Sequence, residues 1–177
     1  YGGQVLAYDY PADNNSAYDG RLWRYDPYNY GIGPVIGAVE DVGFDLDHPC
    51  YVNNIGAVCN SPTSDDSHGT SCFAIIFAKS GFVYPGGLPN GLGLMLGYTA
   101  GNWGNEEDDV MAEGGFFTSH SVASSSQTGI YNSYAQSLDE ALSVRPTYQE
   151  YGGAGNIGND GINNLVLDEF TAKNAIT

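Results

Sequence analysis

The sequence predicts an α/β fold with a mostly parallel sheet flanked by helices. Short apolar runs of the kind found in buried strands alternate along the chain with segments whose apolar residues have helical spacing. With 177 residues, 42% of them hydrophobic, the chain is long enough for one core and too short for two. We expect an irregular N-terminal arm over residues 1–33, rich in Tyr, Asp and Asn, and an α/β domain over 34–177.

The first strand and the first helix have clear boundaries in the sequence. The run PVIGAV over 34–39 predicts a buried strand that ends at the polar pair Glu40 and Asp41. A helix is predicted from about His68 to Ser80, with N-cap candidates just before it over 65–67. Asp41 and His68 are therefore placed beyond the carboxyl end of a strand and at the start of a helix.

The alternation continues through the rest of the chain. It predicts a strand over Leu92–Tyr98, a helix from Asn105 towards Phe116, a weaker strand over His120–Ser125, a helix through Leu138 that Pro146 stops, and a strand over Tyr148–Ala154. In parallel sheets, sites form beyond the carboxyl ends of the strands. Asp41, His68 and Asn156 all fall at that edge.

The charge balance excludes two classes of partner. Five Lys and Arg against 21 Asp and Glu give a net charge of −16, which repels nucleic acid and anionic lipid. The longest apolar run, Phe73–Ala78, is too short to span a bilayer. We expect an extracellular or cell-surface protein without nucleic acid or a membrane span.

The three cysteines are expected to differ in role. Cys50 and Cys59 flank a turn-rich stretch in which a local disulfide could close. Cys72 lies in an apolar run, and a buried, unreactive thiol is the favoured interpretation.

Three motifs occur in order along the chain. They are DVGFDLDHP beginning at Asp41, HGTSC beginning at His68, and GAGNIG around Asn156. Together they resemble the subtilisin-like serine proteases, and the HGT-x-C form is similar to the proteinase K and kexin branches. The resemblance covers roughly residues 34–164 and implies a subtilisin-like fold that is incomplete at its C-terminal side.

The resemblance implies roles for four residues. A serine hydroxyl needs an imidazole to remove its proton and a carboxylate to orient that imidazole, which are the roles implied for His68 and Asp41. Asn156 is implied as the oxyanion donor. Ser126 is a looser match to the segment that binds the substrate backbone. The chemistry needs no cofactor, and structural Ca²⁺ is compatible with the family.

The sequence departs from the family at the nucleophile. The family's G-T-S-x-A-x-P motif follows the oxyanion Asn, and no such motif occurs here. Either the chain is the N-terminal part of a serine endopeptidase whose nucleophile lies elsewhere, or it is an inactive domain used in binding or extracellular assembly. In both cases we expect a second polypeptide, or another copy of the chain, to cover the sheet face that the missing segment leaves open.

Other charged residues have plainer interpretations. The acidic run Glu106–Asp109 could bind Ca²⁺, but a solvated first turn of a helix is favoured. His48 and His120 are assigned no ligand role, because neither has a spacing that implies a metal-binding set. The tyrosines of the arm could form an assembly surface or pack on the domain, with packing slightly favoured.

Overall fold

The computed structural model describes most of the α/β domain. The described residues are 35–64, 66–79, 86–88, 91–99, 103–122, 129–153 and 166–176. The predicted N-terminal arm, Ser126 and Asn156 lie outside them. Among the described residues, none of the helices has the length and apolar character that crossing a bilayer requires.

The main sheet has five parallel strands in the order β3-β5-β1-β6-β7. Their bounds are β1 Val35–Asp41, β3 Ile55–Cys59, β5 Leu92–Gly97, β6 Phe117–His120 and β7 Gln149–Gly152, and a second, two-stranded sheet joins β2 Gly43–Phe44 to β4 Thr63–Ser64. β1 is the central strand, and its Ala38 and Val39 are fully buried. Because every pairing is parallel, all five carboxyl ends meet at one edge.

Three helices cover the two faces of this sheet: α1 Ser67–Phe77, α2 Asn105–Ala112 and α3 Ser133–Ser143. Successive side chains of a strand point to opposite faces, so Val39 packs in one core cluster and Ala38 in another. The first cluster contains Phe73 and Phe77 of α1, and the second contains residues of α2 and α3. A short 3₁₀ helix, Asp168–Thr171, adds to the second cluster.

Several boundaries differ from the predictions. β1 continues through Asp41, so Glu40 lies within a buried strand instead of ending it. β6 ends at His120, where the sequence predicts a strand to begin. α1 ends at Phe77, earlier than the predicted Ser80. Just beyond it, the Lys79 N–H donates to the Cys50 carbonyl instead of continuing the helix.

The suggested disulfide between Cys50 and Cys59 is wrong, since all three cysteines are free. The reason is the sheet itself. Cys50 packs in the core cluster on the α1 side, whereas Cys59, on β3, packs against the cluster on the opposite side. A disulfide needs two Cα atoms within about 7 Å of each other and Cβ atoms that point towards each other. Side chains on opposite faces of the sheet do not meet this condition.

Candidate active site

Asp41 is the last residue of the central strand and is almost completely buried. Its Oδ1 accepts a hydrogen bond of 2.8 Å from the Val42 N–H, and its Oδ2 lies 2.7 Å from Nδ1 of His68. A carboxylate held by backbone and imidazole donors has a fixed orientation. The sequence expectation that Asp41 and His68 come within hydrogen-bond reach agrees with this geometry, and their catalytic roles stay predictions.

His68 occupies the first turn of α1. The Asp66 side chain caps this helix by accepting hydrogen bonds from the His68 and Gly69 N–H groups, at 2.7 and 3.4 Å. The imidazole edge that faces away from Asp41 is open, because the His68 side chain is 61% exposed. The Nδ1 contact favours the tautomer that leaves the lone pair of Nε2 free to accept a proton from an approaching hydroxyl.

The two residues after His68 hold the helix against the strand end. A Cβ atom built on Gly69 would lie 2.1 Å from the Gly43 carbonyl oxygen and 2.8 Å from the Asp41 Cβ, so this position requires glycine. The Thr70 hydroxyl donates to the Asp66 carbonyl and accepts from the Asp45 N–H. Gly69 therefore allows α1 to pack closely against the end of β1. Thr70 links the start of α1 to the loop that contains Asp45.

Cys72 is the side chain one turn further along α1. Its Sγ lies 4.0 Å from Nε2 of His68, and the residue is half-buried, more accessible than the sequence suggested. Burial raises the pKa of the Cys72 thiol, and the charges of Asp41 and Asp66 raise it further. A protonated thiol is a weak nucleophile, which supports the expected unreactive role.

Ser126 and Asn156 lie outside the described residues. The strand that leads to Asn156 is β7, which ends at Gly152 beside the end of β6. Because β7 is parallel to β1, its carboxyl end reaches the edge at which Asp41 lies. The placement of this strand agrees with the expected one, and the roles of Asn156 and Ser126 stay predictions.

A second group of titratable side chains lies on the other face of the sheet. Glu40, His120 and Glu150, here called the buried Glu–His cluster, come from the adjacent strands β1, β6 and β7. His120 Nδ1 lies 2.5 Å from Oε2 of Glu40, and its Nε2 contacts Oε1 of Glu150. The sequence reasoning assigned no role to His120, and a two-residue period along the strands is the signal that could have placed all three inward.

Burial dominates the electrostatics of the buried Glu–His cluster. It raises the pKa of Glu40 to about 9, in spite of the opposing attraction of His120. Burial also raises the pKa of Glu150, and the charge of Glu107 adds to this shift. The pKa of His120 is lowered by burial, although nearby carboxylates pull it upward. Burial therefore favours the neutral forms of all three side chains.

The acidic first turn of α2 also differs from expectation. Glu106 and Glu107 are buried instead of solvated. Asp108 is paired with Arg145 through a 2.8 Å contact between Oδ1 and Nη2. A surface Ca²⁺ site needs several accessible oxygen ligands together, so this run does not fit that role.

The described residues form an α/β domain, a mostly parallel five-stranded sheet flanked by helices. The chain is similar to a solved structure of a serine-to-alanine mutant of the protease domain of PatA, with a TM-score of 0.61 and 20% identity over 80% of this chain. The chain spans 55% of the length of that domain. The likeness confirms the predicted fold class. No protein-family model and no curated protein matches the chain.

Proposed function

We propose that the chain is part of a secreted subtilisin-like serine endopeptidase domain. The observation that carries the proposal is the hydrogen bond between His68 Nδ1 and the buried carboxylate of Asp41, in a His68 side chain that is 61% exposed. The likeness to a protease domain is compatible with it. The HGT-x-C sequence resembles the proteinase K and kexin form, which we include in the proposal on the sequence alone.

The proposed reaction is peptide-bond hydrolysis through an acyl-enzyme. A serine outside these 177 residues attacks the scissile carbonyl carbon, and His68 Nε2 takes the hydroxyl proton. Asp41 holds the imidazole and stabilises its charged form. The oxyanion accepts a hydrogen bond from the Asn156 amide, a contact worth about 3 kcal/mol, and Ser126 binds the substrate backbone. His68 then protonates the leaving amine, and water releases the acid from the serine ester.

The charge of the whole chain suits a secreted peptidase. A net charge of −16 supports solubility and discourages contact with nucleic acid and anionic membranes. The substrate would be a peptide or protein, and the reaction requires no cofactor. The rest of the domain or a second polypeptide would supply the nucleophile, and either of these or another copy of the chain would cover the open sheet face.

Active-site labelling of the protein as isolated from its source tests the proposal. A fluorophosphonate probe is expected to label one serine outside residues 1–177, to fail with the 177-residue chain alone, and to fail after His68→Ala. The matched control is Ser71→Ala, an exposed helix serine next to the same motif, which should leave labelling unchanged.

Two outcomes would contradict the proposal. A labelled serine within residues 1–177 would mean that the nucleophile has been misplaced. An intact protein that is neither labelled nor able to hydrolyse peptides would favour the alternative, a catalytically inactive domain that serves in binding or extracellular assembly.

A further inference from the structure

The buried Glu–His cluster is built by strand register. Glu40 and His120 are direct partners across β1 and β6. Glu150 pairs with Thr118, and His120 pairs with Gly152, so Glu150 is the diagonal neighbour of His120 on the same face. One ligand atom from each of the three side chains lies within 4.8 Å of the others. Three rigid strands therefore hold two carboxylates and an imidazole together.

The two contacts of His120 need one more proton, or a cation, than a neutral imidazole supplies. A neutral imidazole carries one N–H, yet both ring nitrogens of His120 contact a carboxyl oxygen. The contact of Nδ1 with Glu40 also lacks the alignment of a hydrogen bond. With both carboxyl groups ionised, one contact would set a nitrogen lone pair against an oxygen lone pair. Either a proton on a carboxyl group, the form that burial favours without metal, or a bound cation relieves this repulsion.

Two buried carboxyl oxygens, one in the cluster and one beside it, have no hydrogen-bond partner among the described residues. Oε2 of Glu150 and Oε1 of Glu107 are buried, and neither accepts a hydrogen bond within the part of the chain that the structure describes. Glu107 lies close enough for its charge to act on both Glu150 and His120. A buried carboxylate oxygen without a donor is costly, by several kcal/mol for a charged group, so these atoms point to a missing electrophile.

The surroundings of the cluster are closed to solvent and contain aromatic rings together with the further buried carboxylates Glu106, Glu107 and Glu169. The His120 side chain is 1% exposed, and the side chains of Glu40 and Glu150 are 0% and 2% exposed. The rings of Trp103 and Phe170 lie with their centroids 5.0 and 5.5 Å from that of His120. Closed sites of this kind hold structural ions, whereas catalytic metal sites keep a position open to substrate.

We propose that Glu40, His120 and Glu150 form a closed binding site for a divalent transition-metal ion, of which Zn²⁺ is the representative. Mixed imidazole and carboxylate donors select such ions over Ca²⁺, which prefers oxygen ligands alone. The ligand atoms of a tetrahedral Zn²⁺ lie roughly 3.4 Å apart, so on binding the 2.5 Å contact between His120 Nδ1 and Glu40 must widen and the longer separations within the 4.8 Å group must shorten. One ring nitrogen binds the ion, and the other donates its N–H to a carboxylate.

The ion would link three strands on the face opposite to Asp41 and His68. It has a structural role and does not depend on the proposed peptidase activity. Because it binds only the folded state, it stabilises the domain in proportion to the logarithm of its concentration above the dissociation constant.

The experiment measures Zn²⁺ binding to the intact protein in a His68→Ala background. This background is needed because Asp41, His68 and Cys72 form a second group with metal-ligand spacing. After prolonged chelation, one Zn²⁺ per chain is expected to bind and to raise the Tm. Glu150→Gln should weaken binding by about 100-fold or more, as the loss of a ligand does. Glu113→Gln, an exposed glutamate beyond α2, is the matched control and should bind normally.

A second measurement covers the case in which cluster variants fail to fold. In the folded His68→Ala protein, Zn²⁺ should shift the ring ¹⁵N resonances of His120 and leave those of His48 unchanged. Co²⁺ should give visible d–d bands without a thiolate charge-transfer band. Absence of binding, unchanged His120 resonances or a thiolate band would overturn the proposal, and the first of these would mean that the cluster is held by protons alone.

Discussion

Glu40 and Asp41 are consecutive residues of β1, so their carboxylates lie on opposite faces of the sheet. Asp41 meets His68 of α1 at the sheet edge, where the imidazole is 61% exposed. Glu40 meets His120 in a sealed layer between the sheet and the other two helices. The same pair of chemical groups, a carboxylate and an imidazole, thus occurs in two environments. Only the pair at the edge can meet a substrate.

The Asp41 contact should fix the tautomer of His68. In the neutral imidazole we expect the proton on Nδ1, because Oδ2 of Asp41 accepts only from that nitrogen. Asp41→Asn should populate the other tautomer, and under the proposed peptidase function it should lower the kcat of the whole protein by about 10⁴-fold, as loss of a triad carboxylate does in serine proteases. Ring ¹⁵N shifts measure the tautomer. The control is Asp47→Asn, which changes an exposed carboxylate in the loop after β2. Equal ¹⁵N spectra for the two variants would contradict the expectation.

Gly69→Ala should destabilise the domain. An uncrowded Gly→Ala change within a helix gains about 1 kcal/mol, but here the new Cβ meets the Gly43 carbonyl and the Asp41 side chain. Overpacking of this kind costs roughly 1–3 kcal/mol, so the net effect should be a loss of stability together with a longer distance between His68 and Asp41. Chemical denaturation measures the first effect. The control is Ser71→Ala on the same helix, which should leave the free energy of unfolding nearly unchanged. A Gly69→Ala variant that is more stable than the parent would show that the end of β1 can move to accommodate the new Cβ.

The Cys72 thiol should react slowly at neutral pH. Burial raises its pKa above the ordinary value of 9.0, so the thiolate fraction should keep rising beyond that pH. The rate of iodoacetamide alkylation at Cys72, followed by peptide mass spectrometry, should increase through pH 9 without a plateau. A plateau below pH 8 would reveal a thiolate paired with His68 and would make Cys72 a candidate nucleophile. Cys72→Ser supplies the blank.

The sequence is sufficient to predict the features that rest on local signals. The apolar run of β1, an N-cap among residues 65–67 and the alternation of strands and helices from β1 to β7 follow from short stretches of residues, and the structure has them, but β3 at Ile55–Cys59 was not predicted. The meeting of Asp41 and His68 followed from a motif resemblance combined with the rule that parallel strands share one carboxyl edge.

The meeting of the three side chains in the buried Glu–His cluster could not be predicted in the same way, although the two-residue period of each strand could have placed each of them inward. The sequence predicts that the polar residue Glu40 ends the apolar run. Its burial depends on the register that sets it opposite His120, and this register is a long-range property of three strands. The burial of Glu106 and Glu107 has the same origin, since a helix start is solvated only when tertiary packing leaves it free.

Replacing the whole buried cluster by apolar residues should stabilise the chelated protein. Each carboxylate loses its hydration in the closed layer, and a single imidazole cannot compensate both. The triple variant Glu40→Met, His120→Leu and Glu150→Met should gain about 1–4 kcal/mol over the metal-free parent. His120→Leu alone should lose stability, because it leaves two carboxylates together. Urea unfolding in the presence of chelator measures both, and a destabilised triple variant would show that the cluster contributes net stability without metal.

The last prediction concerns the α1 side of β6 and β7. The rings of Phe117 and Tyr151 meet edge to face there, with centroids 6.3 Å apart, and Tyr151 is 39% exposed. The adjacent Phe116 is 50% exposed. The outer edge of β7 is partly covered, because Ile176 pairs with Tyr151. We therefore expect the chain to need a cover for this face of β6 and β7 more than a strand that pairs with the edge of β7.

We expect the isolated 177-residue chain to fold in a way that depends on its concentration, because exposed aromatic rings on one face favour association with another copy or with a further segment of the protein. Sedimentation and thermal unfolding over a wide dilution range measure this dependence. Tyr151→Ser should weaken the association, and Val144→Ser, which replaces a 72% exposed valine at the end of α3, should not. A compact monomer whose unfolding transition is independent of concentration would show that the face needs no cover, and the requirement for a second polypeptide would then rest on the nucleophile alone.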